Sequence, residues 1–217
     1  MMTNLIYKEF KLSAHPTIFI FLSFPLMLFI PAYPYYVPFF YTCLSFFFLF
    51  ISGRENKDVL YTTTLPIRKS DVVKARCLFI AFIELAVILI SVPVVVIKAL
   101  LISDASNVAG IDANPAFFGL ALIMFALFNI IFIPAFYKTA YKAGVPFIIS
   151  CAAIAIYIIA AESLVWIPSP IRAYLDTTDP ALMVKQLPVL IAGISIWVLT
   201  TFAAYRKAAK NFEKVDI

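Results

Sequence analysis

The 217-residue chain is poor in charge, in cysteine and above all in histidine. Asp, Glu, Lys and Arg make up 13% of it, about half the ~25% of an ordinary soluble domain, so a water-soluble globular protein is excluded. Disorder is excluded too, because disordered chains combine low hydrophobicity with high charge. The three cysteines, Cys43, Cys77 and Cys151, are far apart and lie in or beside apolar runs. Without a C-x-x-C or a Cys/His spacing they support neither a metal site nor a disulfide frame. The single histidine, His15, rules out two-histidine metal motifs and leaves a membrane hydrolase without an evident nucleophile–base pair. None of the five glycines precedes a lysine, so G-x-x-x-x-G-K-[ST] is missing and ATP cannot be held by a P-loop. H-E-x-x-H and G-x-S-x-G are missing as well. No strong internal repeat supports an inverted-repeat carrier.

What the chain does have is apolar surface. Hydrophobic residues make up 64% of it, well above the ~45–50% of soluble domains, and the surplus must face lipid. Six apolar runs are evident: Thr17–Pro31, Tyr36–Ile51, Cys77–Ile102, Ala116–Tyr137, Val145–Ile167 and Leu187–Tyr205. At ~20 residues per span they leave short loops and no room for a second soluble domain. Pro31, Pro34 and Pro38 interrupt the first two runs and resist a continuous helix. The tyrosines among them suit a membrane boundary, which predicts a tight hairpin outside the bilayer. Pro188 suits the first turn of the sixth helix, where a missing N–H costs nothing. Pro25, Pro93, Pro134 and Pro146 are expected to kink or break their helices.

All but three of the 17 basic residues fall in four clusters. These are Lys8 and Lys11, the stretch Arg54–Arg76, Lys138 and Lys142, and the tail with Arg206, Lys207, Lys210 and Lys214; Lys98, Arg172 and Lys185 lie elsewhere. Six spans put all four clusters on one side, and five or seven would split them. The positive-inside rule makes that side cytoplasmic, which predicts a multi-pass protein of the cell membrane with both termini inside. Topology thus accounts for the net charge of +5 without nucleic acid. Thr17–Pro31 is not followed by a small-residue cleavage site, so it is not expected to be a signal peptide. Ahead of it, Met2, Leu5, Ile6, Phe10 and Leu12 share one helical face, with Asn4, Lys8 and Lys11 opposite, as in a helix lying in the membrane interface. Glu9 intrudes on the apolar face. It is either a snorkelling or frayed side chain or one partner of a salt bridge to the basic stretch after span two.

That stretch, residues 53–76, is the longest connection on the basic side. A hairpin between helices needs only ~2–8 residues. Glu55–Tyr61 can form a short helix, Leu65-Pro66 breaks it, and Ser70 or Asp71 can cap the helix that becomes span three. By spacing alone the segment is equally a solvated loop that sets topology.

The order of these elements resembles a known family. Leu5-Ile6-Tyr7-Lys8-Glu9-Phe10-Lys11-Leu12 precedes His15-Pro16 and the turn Ile30-Pro31-Ala32-Tyr33-Pro34-Tyr35. Arg54-Glu55-Asn56-Lys57-Asp58 follows, and then Leu65-Pro66-Ile67-Arg68-Lys69-Ser70-Asp71. This resembles the membrane subunit of ABC-2 type ABC transporters, in the small bacterial branch that includes peptide exporters. The resemblance is sharpest over residues 1–80; beyond them only the six-span layout matches. It implies one all-α permease domain over residues 1–217. Within it, 1–13 form an interfacial helix, 17–51 spans one and two, 53–76 a cytoplasmic coupling segment, 77–205 spans three to six and 206–217 a tail. It implies a coupling helix seated on a separate ATPase subunit, with Glu55, Asp58, Val59 and Leu60 as the docking patch and Leu65, Pro66 and Arg68 turning the chain back. It also implies a second permease copy or paralogue, and no cofactor of this chain's own, ATP being bound by the partner.

Three charges fall inside spans. Glu84 lies in the inner half of span three, Lys98 near its outer end and Glu162 near the outer end of span five. A charge at the bilayer centre costs roughly 2.5–3.5 kcal/mol on insertion scales, so Glu84 is expected to face protein or water. It either lines a substrate path, bonds across a subunit interface, is protonated, or makes a structural hydrogen bond. Lys98 and Glu162, the latter ahead of Trp166 and Pro168, are expected to snorkel. The phenylalanines of span two, Phe39, Phe40, Phe46, Phe47, Phe48 and Phe50, are expected to face lipid, with a subunit interface or greasy cargo path as the alternative. The segment Pro168–Gln186, with Arg172, Asp176 and Asp179, is expected to form a short helix over the exit. An exporter permease for hydrophobic or amphipathic peptides is the leading reading. A membrane immunity or scaffold protein that transports nothing is the alternative, and a membrane enzyme comes third.

Overall fold

Pro25 decides how the chain first crosses. In a computed structural model, which describes residues 2–102, 106–166, 170–177, 179 and 183–215, the N-terminal helix α1 (Met2–Lys8) runs into a wider π turn, Glu9–Ser13. His15 then caps α2 (Pro16–Phe21), its ring accepting from the Thr17 N–H. A proline clashes with the carbonyl four residues before it, and α2 ends at Phe21, four residues before Pro25. The chain continues as a 3₁₀ helix, Phe24–Phe29. The segment Pro16–Phe29 lies at 89° to Met2–Ser13. Six α-helical residues rise about 9 Å and six 3₁₀ residues about 12 Å; with their connecting residues they approach the ~30 Å of a hydrocarbon core.

Five longer helices have the length and hydropathy to cross a bilayer, or six with the bent pair counted as one. They are α3 (Tyr36–Glu55), α5 (Lys69–Leu101), α6 (Pro115–Phe136), α7 (Gly144–Trp166) and α9 (Leu187–Glu213). Between α3 and α5 lies the short α4 (Asp58–Thr64), and α8 (Pro170–Leu175) precedes α9. Pro93 and Pro134 do not break their helices, which continue through them, and Pro146 falls in the first turn of α7. The helix of span three begins at Lys69 with Arg68 as its N-cap, so neither Ser70 nor Asp71 caps it. α8 is the short helix expected between spans five and six; Pro168 lies outside the described residues.

The centre of the bundle is aromatic, and this corrects the lipid-facing assignment for half of the span-two phenylalanines; Phe40, Phe47 and Phe48 stay partly exposed. Phe39, Phe46 and Phe50 are buried. They pack on Phe117, Phe125, Phe128 and Phe132 of α6, with ring centroids 5.0–6.1 Å apart. Aliphatic and aromatic side chains on α5, α7 and α9 take the outside instead, among them Phe82, Ile156 and Leu199. α6 and α9 run parallel and touch along their length. The backbones meet at Gly119 and Gly193, where a Cβ on Gly193 would stand 2.3 Å from the Gly119 carbonyl oxygen. Small residues permit such close helix pairs in lipid, where packing rather than the hydrophobic effect drives association.

Candidate functional site

At the end of the bundle that gathers the four basic clusters, α1, α4 and the start of α5 share one buried ion-pair network. Arg76, about two turns inside α5, is its hub. Its Nε lies 2.5 Å from Glu9 Oε2 and its NH2 group 2.5 Å from Asp58 Oδ2. Lys8 Nζ bridges Asp58 Oδ1 at 2.8 Å and Glu9 Oε1 at 3.0 Å, and the Ser13 hydroxyl donates to Asp58 Oδ2. The Arg76 and Glu9 side chains are 3% and 1% exposed, so the guanidinium has no recourse to water. Its plane also stands 5.4 Å from the Phe50 ring. Burial works against ionisation of Asp58, but the Arg76 and Lys8 charges outweigh it and hold the carboxyl below its ordinary value. The salt bridge anticipated for Glu9 is therefore present, with Arg76 as partner.

This network bears on two expectations for the 53–76 connection. The short helix is Asp58–Thr64 rather than Glu55–Tyr61, because α3 continues to Glu55 and Lys57 takes a left-handed conformation (φ 52°, ψ 31°) that turns the chain back. Asp58, expected in a docking patch, pairs with Lys8 and Arg76 inside the chain as an anchor. Val59 packs on the core. What α4 presents outward is Leu60 and Tyr61, with Leu65, Pro66 and Arg68 exposed beyond it. Tyr61, 68% exposed, escaped sequence reasoning; its signal was a large aromatic on the polar side of the chain. Glu55 is exposed, and among the described residues its ion pair is with its neighbour Arg54 at 3.8 Å. Grooves flank α4 on both sides. One, of about 340 Å³, lies against Asn4, Lys8 and Leu12 of the N-terminal segment. The other, of about 320 Å³, lies against Thr139, Ala140 and Tyr141. Lys57 and Ala140, the two non-glycine residues with positive φ among those described, both line it. Such strain persists only where surrounding structure enforces it and gathers at working surfaces.

Glu84 sits mid-bundle and fully buried. Its Oε2 accepts from Trp197 Nε1 of α9 at 2.8 Å and from Asn129 Nδ2 of α6 at 3.1 Å. The same Asn129 amide donates to the Thr201 hydroxyl at 3.1 Å. Both bonds to Glu84 are made inside one chain.

The opposite end is closed by polar ties. Lys98 does not snorkel: it is buried, bonded to the Tyr35 hydroxyl and standing over the Tyr35 ring. Burial, with Asp112 nearby, pushes the Tyr35 hydroxyl up to about 12. Glu162 also turns inward and accepts from the Ile111 N–H at 3.0 Å; a Cβ on Gly110 would lie 2.0 Å from its carboxylate, so a larger residue there would push the Glu162 side chain aside. The Asn114 side chain caps α6 through the Phe117 N–H and donates to the Leu175 carbonyl next to α8. The Val108 N–H donates to the Pro31 carbonyl. Glu9 thus lies at one end of the bundle and Pro31 at the other, so Pro16–Phe29 traverses it.

These features define an all-α integral membrane protein of several spans, with a short helix clamped at one end by buried charge. Residues 4–213 match the family described as ABC-2 family transporter protein, and the chain belongs to that family. It is therefore a membrane permease component of an ABC transporter, whose family works with an ABC ATPase. No curated protein and no solved structure matches the chain.

Proposed function

We propose that the chain is the permease of an ATP-driven exporter and receives force from a separate ATPase through α4. The observation that carries this is that α4 is tied to the bundle yet keeps an open surface. Asp58 and Thr62 bind Lys8, Ser13 and Arg76, while Leu60 and Tyr61 of α4, and Leu65 just after it, stay exposed. A helix held by several charge-assisted bonds moves as one body with α1 and α5, so a push on the open surface reaches the base of a 33-residue helix. Leu65, Pro66 and Arg68 keep their proposed role in the return turn, and Glu55 borders the patch. The basic end is cytoplasmic, by the distribution of lysine and arginine. The aromatic rings filling the bundle centre leave no path along one chain's own axis, which favours a path between two copies. Exposed aliphatic surface with few polar groups favours a hydrophobic or amphipathic peptide as cargo.

Leu60→Asp with Leu65→Asp alters no member of the ion-pair network and no span. The expected outcome is normal membrane insertion with loss of the ABC ATPase that the tagged parent retains when solubilised from its native membranes. Retention of the ATPase by the variant, or its absence from the parent, would defeat the assignment. Reversing Asp58 is unsuited to this test, because a cation there would face Arg76 and Lys8 and break the clamp itself.

A further inference from the structure

Between α5 and α9 runs a cleft that the coupling machinery does not use. Its membrane-side half, of about 280 Å³, is lined by Leu78, Ala81, Trp197 and Val198 and has Lys74 among its lining residues. The half toward the basic end is an open concavity carrying Arg206, Lys207 and Lys210, with the Ser70 hydroxyl and a single acidic residue, Glu213. Phe202 and Tyr205 line both halves, so the two are continuous. Arg206 stands 5.7 Å from the Phe202 ring, which holds one cation at the junction. The apolar half is smaller than the ~300–1,000 Å³ of a typical small-molecule site, too small for a whole cargo and suited to part of one hydrocarbon chain.

We infer that this cleft holds one anionic phospholipid, an acyl chain lying against Trp197 and its phosphate on Arg206, Lys207 and Lys210. Charge complementarity selects the occupant. Three exposed cations and Lys74 against one carboxylate favour a headgroup with net negative charge, and an apolar groove ending in a basic cup at the boundary matches a lipid's division into chain and head. Only the assignment to the cytoplasmic leaflet rests on the proposed topology. The headgroup preference does not, and it is independent of ATPase docking on α4.

Trp197 reports on the site directly, since Trp166→Phe leaves it as the sole tryptophan of two. Bromine on an acyl chain quenches a tryptophan it touches. The purified full-length W166F protein would be placed in mixed vesicles of phosphatidylglycerol and phosphatidylcholine, with bromine on the chains of one lipid or the other. Brominated phosphatidylglycerol is expected to quench Trp197 more strongly, with a preference of at least about fivefold, the worth of one basic side chain at an anionic surface. Arg206→Gln, Lys207→Gln and Lys210→Gln together should equalise the two lipids. Arg206→Lys, which keeps the charge, should preserve the preference. Soluble glycerol phosphate at millimolar concentration should leave quenching unchanged. Equal quenching by both lipids, a preference surviving the triple change, displacement by glycerol phosphate, or no quenching because a second copy covers the cleft would each overturn the proposal.

Discussion

Arg76 and Glu84 handle buried charge in different ways, and their substitutions should behave differently. Arg76 is matched by two carboxylates from two other elements. Taking one partner from a buried pair leaves an uncompensated charge, at a cost of about 3–5 kcal/mol. Arg76→Ala should therefore lower thermal stability in detergent strongly and release α1 and α4 to proteolysis. Glu9→Gln should cost less, because Asp58 still faces the guanidinium. The paired change Glu9→Gln with Arg76→Gln should be less damaging than the two single changes added, as a double-mutant cycle would read. Glu84 instead accepts two neutral donors. Glu84→Gln keeps an acceptor of the same shape and should fold like the parent. Glu84→Leu orphans the Trp197 and Asn129 donors at about 1–3 kcal/mol each, and should unfold at markedly lower temperature. If Gln and Leu were equally damaging, the charge rather than the hydrogen bonds would be what the site requires.

Among the elements, the α6–α9 pair has the narrowest tolerance. A Cβ on Gly119 would meet the Val189 carbonyl oxygen at 2.6 Å and the Leu190 Cα at 2.9 Å, and backbone cannot step aside as a flexible side chain can. Alanine gains up to about 1 kcal/mol of helix propensity over glycine, but overpacking costs about 1–3 kcal/mol. Gly119→Ala and Gly193→Ala should both destabilise. Gly144→Ala, with nothing within 4 Å, should be neutral or slightly stabilising. The three melting temperatures, measured side by side, check the ranking. The clamped α4 follows the same logic: its order comes from ties to other elements, since seven residues are too few for a helix to stand alone in water.

Across the whole molecule, the two ends differ in what ties them together. Arg54 stands over Tyr141, and Lys69 donates to the Val215 carbonyl, joining three basic clusters at the end where Lys8 binds Asp58. The opposite end is joined by backbone and amide bonds around Val108, Ile111 and Asn114. In a cysteine-free background, Val108→Cys, at a position 72% exposed, should react with an impermeant thiol reagent added to intact cells. Asn56→Cys and Lys214→Cys should react only after permeabilisation. Reversed labelling would overturn the assignment of the basic end to the cytoplasm, and with it the direction in which α4 is approached.

How many segments are apolar enough to cross a membrane, and where prolines interrupt them, can be read along the chain. Hydropathy over ~20 residues and proline's missing N–H are local properties. Pro25 ending α2, His15-Pro16 opening it and the α1 face around Leu5 and Phe10 were legible for that reason, as was an acid at position 9 in need of a base. Which apolar face meets protein and which meets lipid is set by how the helices pack. Phenylalanine suits both environments equally, so composition could not show that Phe39, Phe46 and Phe50 turn inward. Packing also decided the roles of charge. Asp58 became an anchor by pairing with Lys8 and Arg76. Lys98 found the Tyr35 hydroxyl across 63 positions of sequence, and Glu162 found a backbone N–H beside a glycine. Partners so far apart along the chain are chosen by packing, and no local pattern records them.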